Sequence, residues 1–354
     1  MMDLATLQVI WFLLFGVLII GYAILDGFDL GIGALSLFVR DPRQRGQHMD
    51  VIAPVWDGNE VWLLTGGGAL FAAFPPVYAT VFSGFYIAFM LLLAALIFRA
   101  VSFEFRHKID SPGWRSFWDY AFGLGSLVPA LLYGVAVGNV LHGLPVTKDA
   151  TGFVWQGTFL GLLNPYALLV GVTGLAMFLT HGALYLAFKA DGPVAQRAGR
   201  WAPRLWIAWV ALWALSTMAT VLVSSWLLVG LLRNPLFFLL LGLALASLVA
   251  IPVWARSGSF GKAFLASSTA IAAQIGLVGL SLFPRLVPSS LDLEGASMTI
   301  TNASSTQPTL TAMLVIALIG MPLVIGYTFF IYRVFKGRVA PGEFYGNHGV
   351  PGGH

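Results

Sequence analysis

Six ionisable side chains fall within or just beyond three consecutive apolar runs: Asp26 and Asp29, then Asp57 and Glu60, then Arg99 and Glu104. A charge near the middle of a bilayer costs roughly 2.5–3.5 kcal/mol on insertion scales, so such groups persist where they pair or carry protons. Asp26 and Asp29 are three residues apart and share one face of a helix; Asp57 and Glu60 repeat that spacing on the next. Four carboxylates and one arginine at one depth cannot all hold separate charges in apolar surroundings, and crowded acids share protons. The chemistry this suggests is proton uptake from water and transfer along the cluster. The plain alternative is structural pairing with Arg99, Arg106 and Lys108. For any single residue the two readings weigh equally; the density of charge favours a functional cluster.

The elements that must position these groups follow from composition. The 354 residues are 58% hydrophobic and 10% charged, with mean hydropathy +0.85. A soluble domain carries about a quarter charged residues, so this chain has too few to cover a water-facing surface. Its apolar stretches reach the roughly 20 residues that a helix needs to span a bilayer, without the alternation of a barrel strand. The expected fold is an all-α membrane protein with spans near 7–38, 52–74, 77–101, 115–140, 158–187, 203–231, 236–255, 262–284 and 310–334. Phe74-Pro75-Pro76 is a turn, while Pro165 and Pro235 sit where a helix start tolerates proline. The first span is overlong and should tilt or project. With Asp3 and no basic region before it, this run is expected to be retained and not cleaved as a signal peptide.

Orientation comes from the basic residues. One set of connections holds Arg40, Arg43, Arg45, Arg106, Lys108, Arg115, Lys189, Arg197, Arg200, Arg204, Arg256, Lys262, Arg333, Lys336 and Arg338; the opposite set holds only Lys148, Arg233 and Arg285. Positive charge collects in the cytoplasm, which puts the N-terminus outside and the C-terminus inside, as an odd number of spans requires. The charged residues of the first three spans then all fall at cytoplasmic ends.

Other features carry less. Gly27, Gly31 and Gly33, with Gly66-Gly67-Gly68, are expected to let helices approach closely. Trp56 suits an interfacial anchor; Trp62 lies deeper than an anchor needs. His48, His142, His348 and His354 lie in connections or the Gly/Pro-rich tail, His107 sits among charges, and His181 reads as a polar contact between helices. No pair of histidines has an obvious haem-ligating spacing, and the absence of cysteine excludes thiolate and Fe–S ligation. No phosphate loop, nucleophile elbow or zinc motif is found, and topology accounts for the basic residues without nucleic acid.

Gly21-Tyr22-Ala23-Ile24-Leu25-Asp26-Gly27-Phe28-Asp29-Leu30-Gly31-Ile32-Gly33 and Trp56-Asp57-Gly58-Asn59-Glu60-Val61-Trp62-Leu63 resemble the first- and second-span signatures of subunit II of cytochrome bd-type quinol oxidase. Phe82-Ser83-Gly84-Phe85-Tyr86, Phe98-Arg99, Phe103-Glu104, Gly138-Asn139, Leu163-Asn164-Pro165 and Pro288-Ser289-Ser290 follow in the family's order. The resemblance implies two four-helix bundles plus a peripheral ninth helix: residues 1–140, 141–285 and 310–335, with an outer polar loop at 286–309 and a cytoplasmic tail at 336–354.

It further implies a non-haem subunit in the bacterial cytoplasmic (inner) membrane, forming a heterodimer with a subunit I. That partner holds two b-type haems and one d-type haem, oxidises quinol and reduces oxygen to water. A small single-helix accessory subunit and a structural quinone in this chain are left open. Carried over by position, Asp57 and Glu104 lie on a proton path with Asp26 beside them. Trp62 lines an oxygen route, and Asp29, Arg99 and Trp56 belong to assembly. Glu104 replaces the aspartate of many relatives, and Glu60 stands where some have glutamine. Two rival readings are a proton-coupled secondary transporter, against which no paired broken helices are seen, and a structural scaffold.

Overall fold

The computed structural model describes residues 2–340; the expected tail beyond residue 340, with His348 and His354, lies outside them. Eight helices among the described residues are long and apolar enough to cross a membrane: α1 (Leu4–Ser36), α5 (Tyr86–Phe105), α6 (Pro112–His142), α7 (Pro165–Lys189), α8 (Gly192–Val223), α9 (Pro235–Arg256), α10 (Phe260–Leu282) and α11 (Gln307–Val334). Three shorter helices complete the set: α2 (Pro42–Ile52), α3 (Trp56–Ala73) and α4 (Pro75–Gly84).

Two departures from the expected spans have physical causes. The segment at 52–74 forms α3, but Asp57, Asn59, Glu60 and three consecutive glycines keep it out of the eight. The segment at 77–101 is two helices, α4 and α5, broken at Phe85. A Cβ on Gly84 would strike the indole of Trp155, so the break lies where the segment around Trp155 packs against the chain. Before α3, the polar helix α2 begins at Asp41, whose side chain accepts from the Arg43 amide.

α1 is the axis of the molecule. From Asp26 to Ser36 every residue is buried, the mark of a helix enclosed by others on all sides. It packs against α3, α6, α7 and α10. Its crossing with α7 is set by glycine: a Cβ on Gly31 would meet the Phe178 carbonyl, and one on Gly182 the backbone of Gly31 and Ile32. Gly27 and Gly33 make similar contacts, with Phe178 and Ser126. Gly67 and Gly68 do not; nothing in this chain lies within 4 Å of a Cβ there. The expected close approach is real on α1, but at these two positions of α3 no helix of this chain supplies it.

Small polar structures close the two ends. At one end β1 (Val146–Asp149) pairs antiparallel with β2 (Gly152–Trp155), and β3 (Arg285–Val287) with β4 (Met298–Thr299). Ser289 Oγ joins the two by donating to the Val146 carbonyl at 2.6 Å, and Ser305 caps α3 through the Ala72 and Ala73 carbonyls. At the other end α2 and residues 335–340 lie across the α7–α8 connection, through a bridge between Ala190 and Val339. The flank of α11 stays open, with Ile316, Leu318, Leu323 and Phe329 exposed.

Candidate functional site

Arg99 of α5 is fully buried, as are Asp26 and Asp29 of α1. It enters because α5 and α6 touch: a Cβ on Gly125 of α6 would overlap the Arg99 backbone nitrogen and the Ala95 carbonyl. Its guanidinium then meets Asp26 with two nitrogens, Nη2 at 2.5 Å from Oδ1 and Nη1 at 3.2 Å from Oδ2. This fork-on-carboxylate geometry satisfies both charges at once. The second acid is held less tightly, with Asp29 Oδ2 at 3.9 Å from Nη2.

Uncharged groups complete the arrangement. Tyr22 donates to Asp26 Oδ2 at 2.7 Å, and its oxygen lies 2.9 Å from the Tyr133 hydroxyl. A tyrosine has one proton to give, so when Tyr22 serves Asp26 the Tyr133 hydroxyl closes the chain. On the other side Asn59 of α3 donates to Asp29 Oδ2 at 2.8 Å, and its own carbonyl accepts from Tyr332 of α11 at 3.0 Å. One polar network thus ties α1, α3, α5, α6 and α11 together. Asp29 Oδ1, also enclosed, makes no hydrogen bond among the described residues.

Asp57 and Glu104 stand apart, while Glu60 lies within electrostatic reach of Arg99 and Asp26. Asp57 and Glu104 are exposed on this chain, and Glu60 is half-buried. The expectation that the acids of three neighbouring helices meet at one place therefore needs correction. Only the α1 pair gathers on Arg99, and α3 reaches it through Asn59. The reason is helical phase: Asn59 faces α1, while Asp57, two residues earlier, points outward. The starts of α3 and the end of α5 do adjoin, since Trp56 stacks on Phe103 with centroids 4.7 Å apart and planes 4° from parallel. Trp62 lies half-buried with its indole over Gly21, where any Cβ would collide with the ring, and its Nε1 has no partner among the described residues.

A second buried ionic group was not foreseen. Arg106 donates to Asp119 Oδ1 at 2.7 Å and to the Pro42 carbonyl at 2.8 Å, with Arg45 at 3.9 Å from the other Asp119 oxygen. Asp119 lies inside an apolar run, so the rule that selects Asp26 selects it too. Close by on α2, burial and the charge of Arg197 push the His48 imidazole down to about 4. His107 is lowered by burial and by Arg106 and Arg115.

His181 joins helices, as expected. Its Nε2 donates to the Ile24 carbonyl of α1 at 3.0 Å, and its Nδ1 lies 2.6 Å from Ser267 Oγ of α10. Both ring nitrogens are spent on protein groups, which leaves neither for a haem iron. Among the described residues no group of three or more His, Cys, Asp or Glu is placed to hold a metal ion.

An ion pair sealed among eight apolar, membrane-length helices, with further acids on the flank, defines a polytopic membrane protein whose charges are organised and not incidental. The chain matches the family Cytochrome bd terminal oxidase subunit II over residues 7–335. It is 38% identical to "Cytochrome bd-I ubiquinol oxidase subunit 2" of Escherichia coli (strain K12), over 96% of this chain and 97% of that one. It is 35% identical to "Cytochrome bd ubiquinol oxidase subunit 2" of Bacillus subtilis (strain 168), over 96% and 99%. The fold also matches the bd oxidase structure from Geobacillus thermodenitrificans with TM-score 0.74 at 20% identity, covering 93% of this chain and 98% of that chain. The chain belongs to the cytochrome bd oxidase subunit II family, whose members are inner-membrane subunits of a respiratory oxidoreductase complex built with a partner subunit.

Proposed function

We propose that this chain is the non-haem subunit of a quinol:oxygen oxidoreductase, and that it supplies the partner with protons through Asp57 and Glu104 and with oxygen past Trp62. The observation that carries the reading is the exposure of both acids beside the stacked Trp56–Phe103 pair, at adjoining ends of α3 and α5. Charged groups on a membrane-embedded flank call for a polar neighbour, and a partner subunit along α3 and α5 supplies one. Haem in that partner provides the oxygen chemistry. This chain's part is to hold protons at Asp57 Oδ and Glu104 Oε, to keep lipid out with Trp56, and to leave a low-polarity passage at Trp62.

Asp26 is the inner end of this proton reading, reached from the flank by way of the half-buried Glu60. Asp29 and Arg99 serve assembly: their burial ties α1 to α5. α3 is the ninth span, and the nine form two four-helix bundles with α11 outside them. Their N-terminus is outside and their C-terminus cytoplasmic.

The test is purification through a tag on this chain. A quinol-oxidising, haem-bearing partner that co-purifies with a d-type absorption band supports the oxidase. A haem-free complex that moves solutes with protons would establish the transporter in its place.

A further inference from the structure

A cavity of ≈ 250 Å³ opens between α2, the start of α3, the end of α7 and residues 334–339. Asp50, Val55, Tyr185, Lys189 and Arg338 are among its lining residues. Its outer wall is a built feature. Lys189 Nζ donates to the Phe335 and Gly337 carbonyls at 2.6 and 2.8 Å. The amides of Val339 and Asp191 bond to the Lys189 and Val339 carbonyls, and Gln47 Nε2 reaches both Asp191 and Val339 carbonyls. The inner wall, which Asp29 itself does not line, is separated from the buried acids by Tyr185 and the first turn of α3. Tyr185 stacks at 3.9 Å on Phe28, the residue before Asp29. The Val55 carbonyl accepts the amide of Asn59, which holds Asp29 Oδ2.

We propose that this cavity is a water vestibule from which protons pass, across the wall formed by Tyr185 and the first turn of α3, to the unpartnered oxygen, Oδ1, of Asp29. Tyr332 and Asn59 are positioning residues that aim that carboxylate. The inference rests on the proton-delivery reading and adds to it an entrance separate from the flank acids Asp57 and Glu104. Three observations converge on it. At roughly 30 Å³ per water the cavity holds several, and its charged lining gives them partners. Asp29 Oδ1 is enclosed yet unbonded, and a buried carboxylate oxygen without a partner calls for water. The Tyr332–Asn59–Asp29 chain spends Oδ2 on protein donors and leaves Oδ1 as the acceptor. In the step itself, hydronium in the vestibule gives one proton to Oδ1, leaving water and a neutral carboxyl; Asp29 then releases that proton to a neighbouring carboxylate and is again ionised. Nothing is oxidised or reduced.

The chain has no cysteine, so single cysteines report the vestibule directly. The purified complex carrying Val339→Cys, or separately Val55→Cys, is treated with a cationic methanethiosulfonate, and the cysteine-free form of this chain in the same complex corrects for the partner. Ser257→Cys, on the exposed α9–α10 turn, is the control. Labelling at Val339 and Val55 should slow quinol-driven oxygen uptake several-fold with the haem spectrum unchanged, while labelling at Ser257 leaves it intact. Tyr332→Phe should slow uptake several-fold and enlarge the H₂O/D₂O rate ratio. Cysteines that resist the reagent, labels that leave the rate untouched, or an unchanged isotope ratio would each overturn the vestibule. If these tests fail while Asp57→Asn slows turnover, the vestibule alone is lost; a wild-type complex without quinol oxidase activity overturns both readings.

Discussion

Arg99 and Asp26, 73 residues apart in sequence, meet as a two-pronged ion pair with no solvent exposure on either side chain. Burying such a pair costs desolvation that its attraction only about repays, but leaving one partner alone costs about 3–5 kcal/mol. The single variants Arg99→Gln and Asp26→Asn should therefore lower stability by about that amount, read as thermal loss of the intact complex. The double variant should be milder than the worse single, because it removes both charges together. Equal or greater damage in the double variant would mean that the pair is not what holds α1 to α5.

Gly31 and Gly182 let α1 and α7 pack backbone against backbone. Gly31→Ala should cost about 1–3 kcal/mol from overpacking, since its methyl would meet the Phe178 carbonyl. Gly68→Ala, with open space around it in this chain, should leave the isolated subunit's stability unchanged. Thermal unfolding of the two variants side by side checks the contrast.

His48 gives a pH dependence outside the membrane. Its folded value of about 4 lies below the usual 6.5, so the folded state binds fewer protons than the unfolded one between those values. Its contribution is fully present above pH 6.5 and is lost as pH falls towards 4, about 3 kcal/mol in all at 1.36 kcal/mol per pH unit. His48→Gln should flatten the fall in stability across that window. A curve as steep as the wild type's would show that other groups cause it.

Trp62 rests on Gly21, so the two should fail alike. If the passage beside Trp62 admits oxygen, Trp62→Ala should change the apparent KM for oxygen with kcat kept. Gly21→Ala, which displaces the ring without removing it, should move KM in the same direction. Oxygen titrations of the purified complex decide this, and a change in kcat alone would contradict it.

Much of this site was legible because charge in an apolar run has few innocent explanations. Asp26, Asp29 and Arg99 announce themselves by type alone. Their supports do not: Tyr22, Asn59, Tyr133 and Tyr332 are ordinary in a membrane helix, and only the fold brings together residues as distant as 59 and 332. The exposure of Asp57 and Glu104 depends on helical phase, and a heptad of mixed residues such as Trp56–Trp62 leaves phase unfixed. The α4–α5 break was hidden for another reason. The run at 77–101 reads as one long span despite Ser83-Gly84, and the break falls where Gly84 lies against Trp155, a contact between segments far apart in sequence.

The central claim is that Asp57 passes protons while the ion pair at Arg99 holds the frame. The most direct measurement is quinol-driven oxygen consumption by the purified Asp57→Asn complex, normalised to its haem spectrum. Slowed turnover with full haem content is the predicted result. Wild-type turnover, or a rate that falls only in step with lost haem, would contradict it.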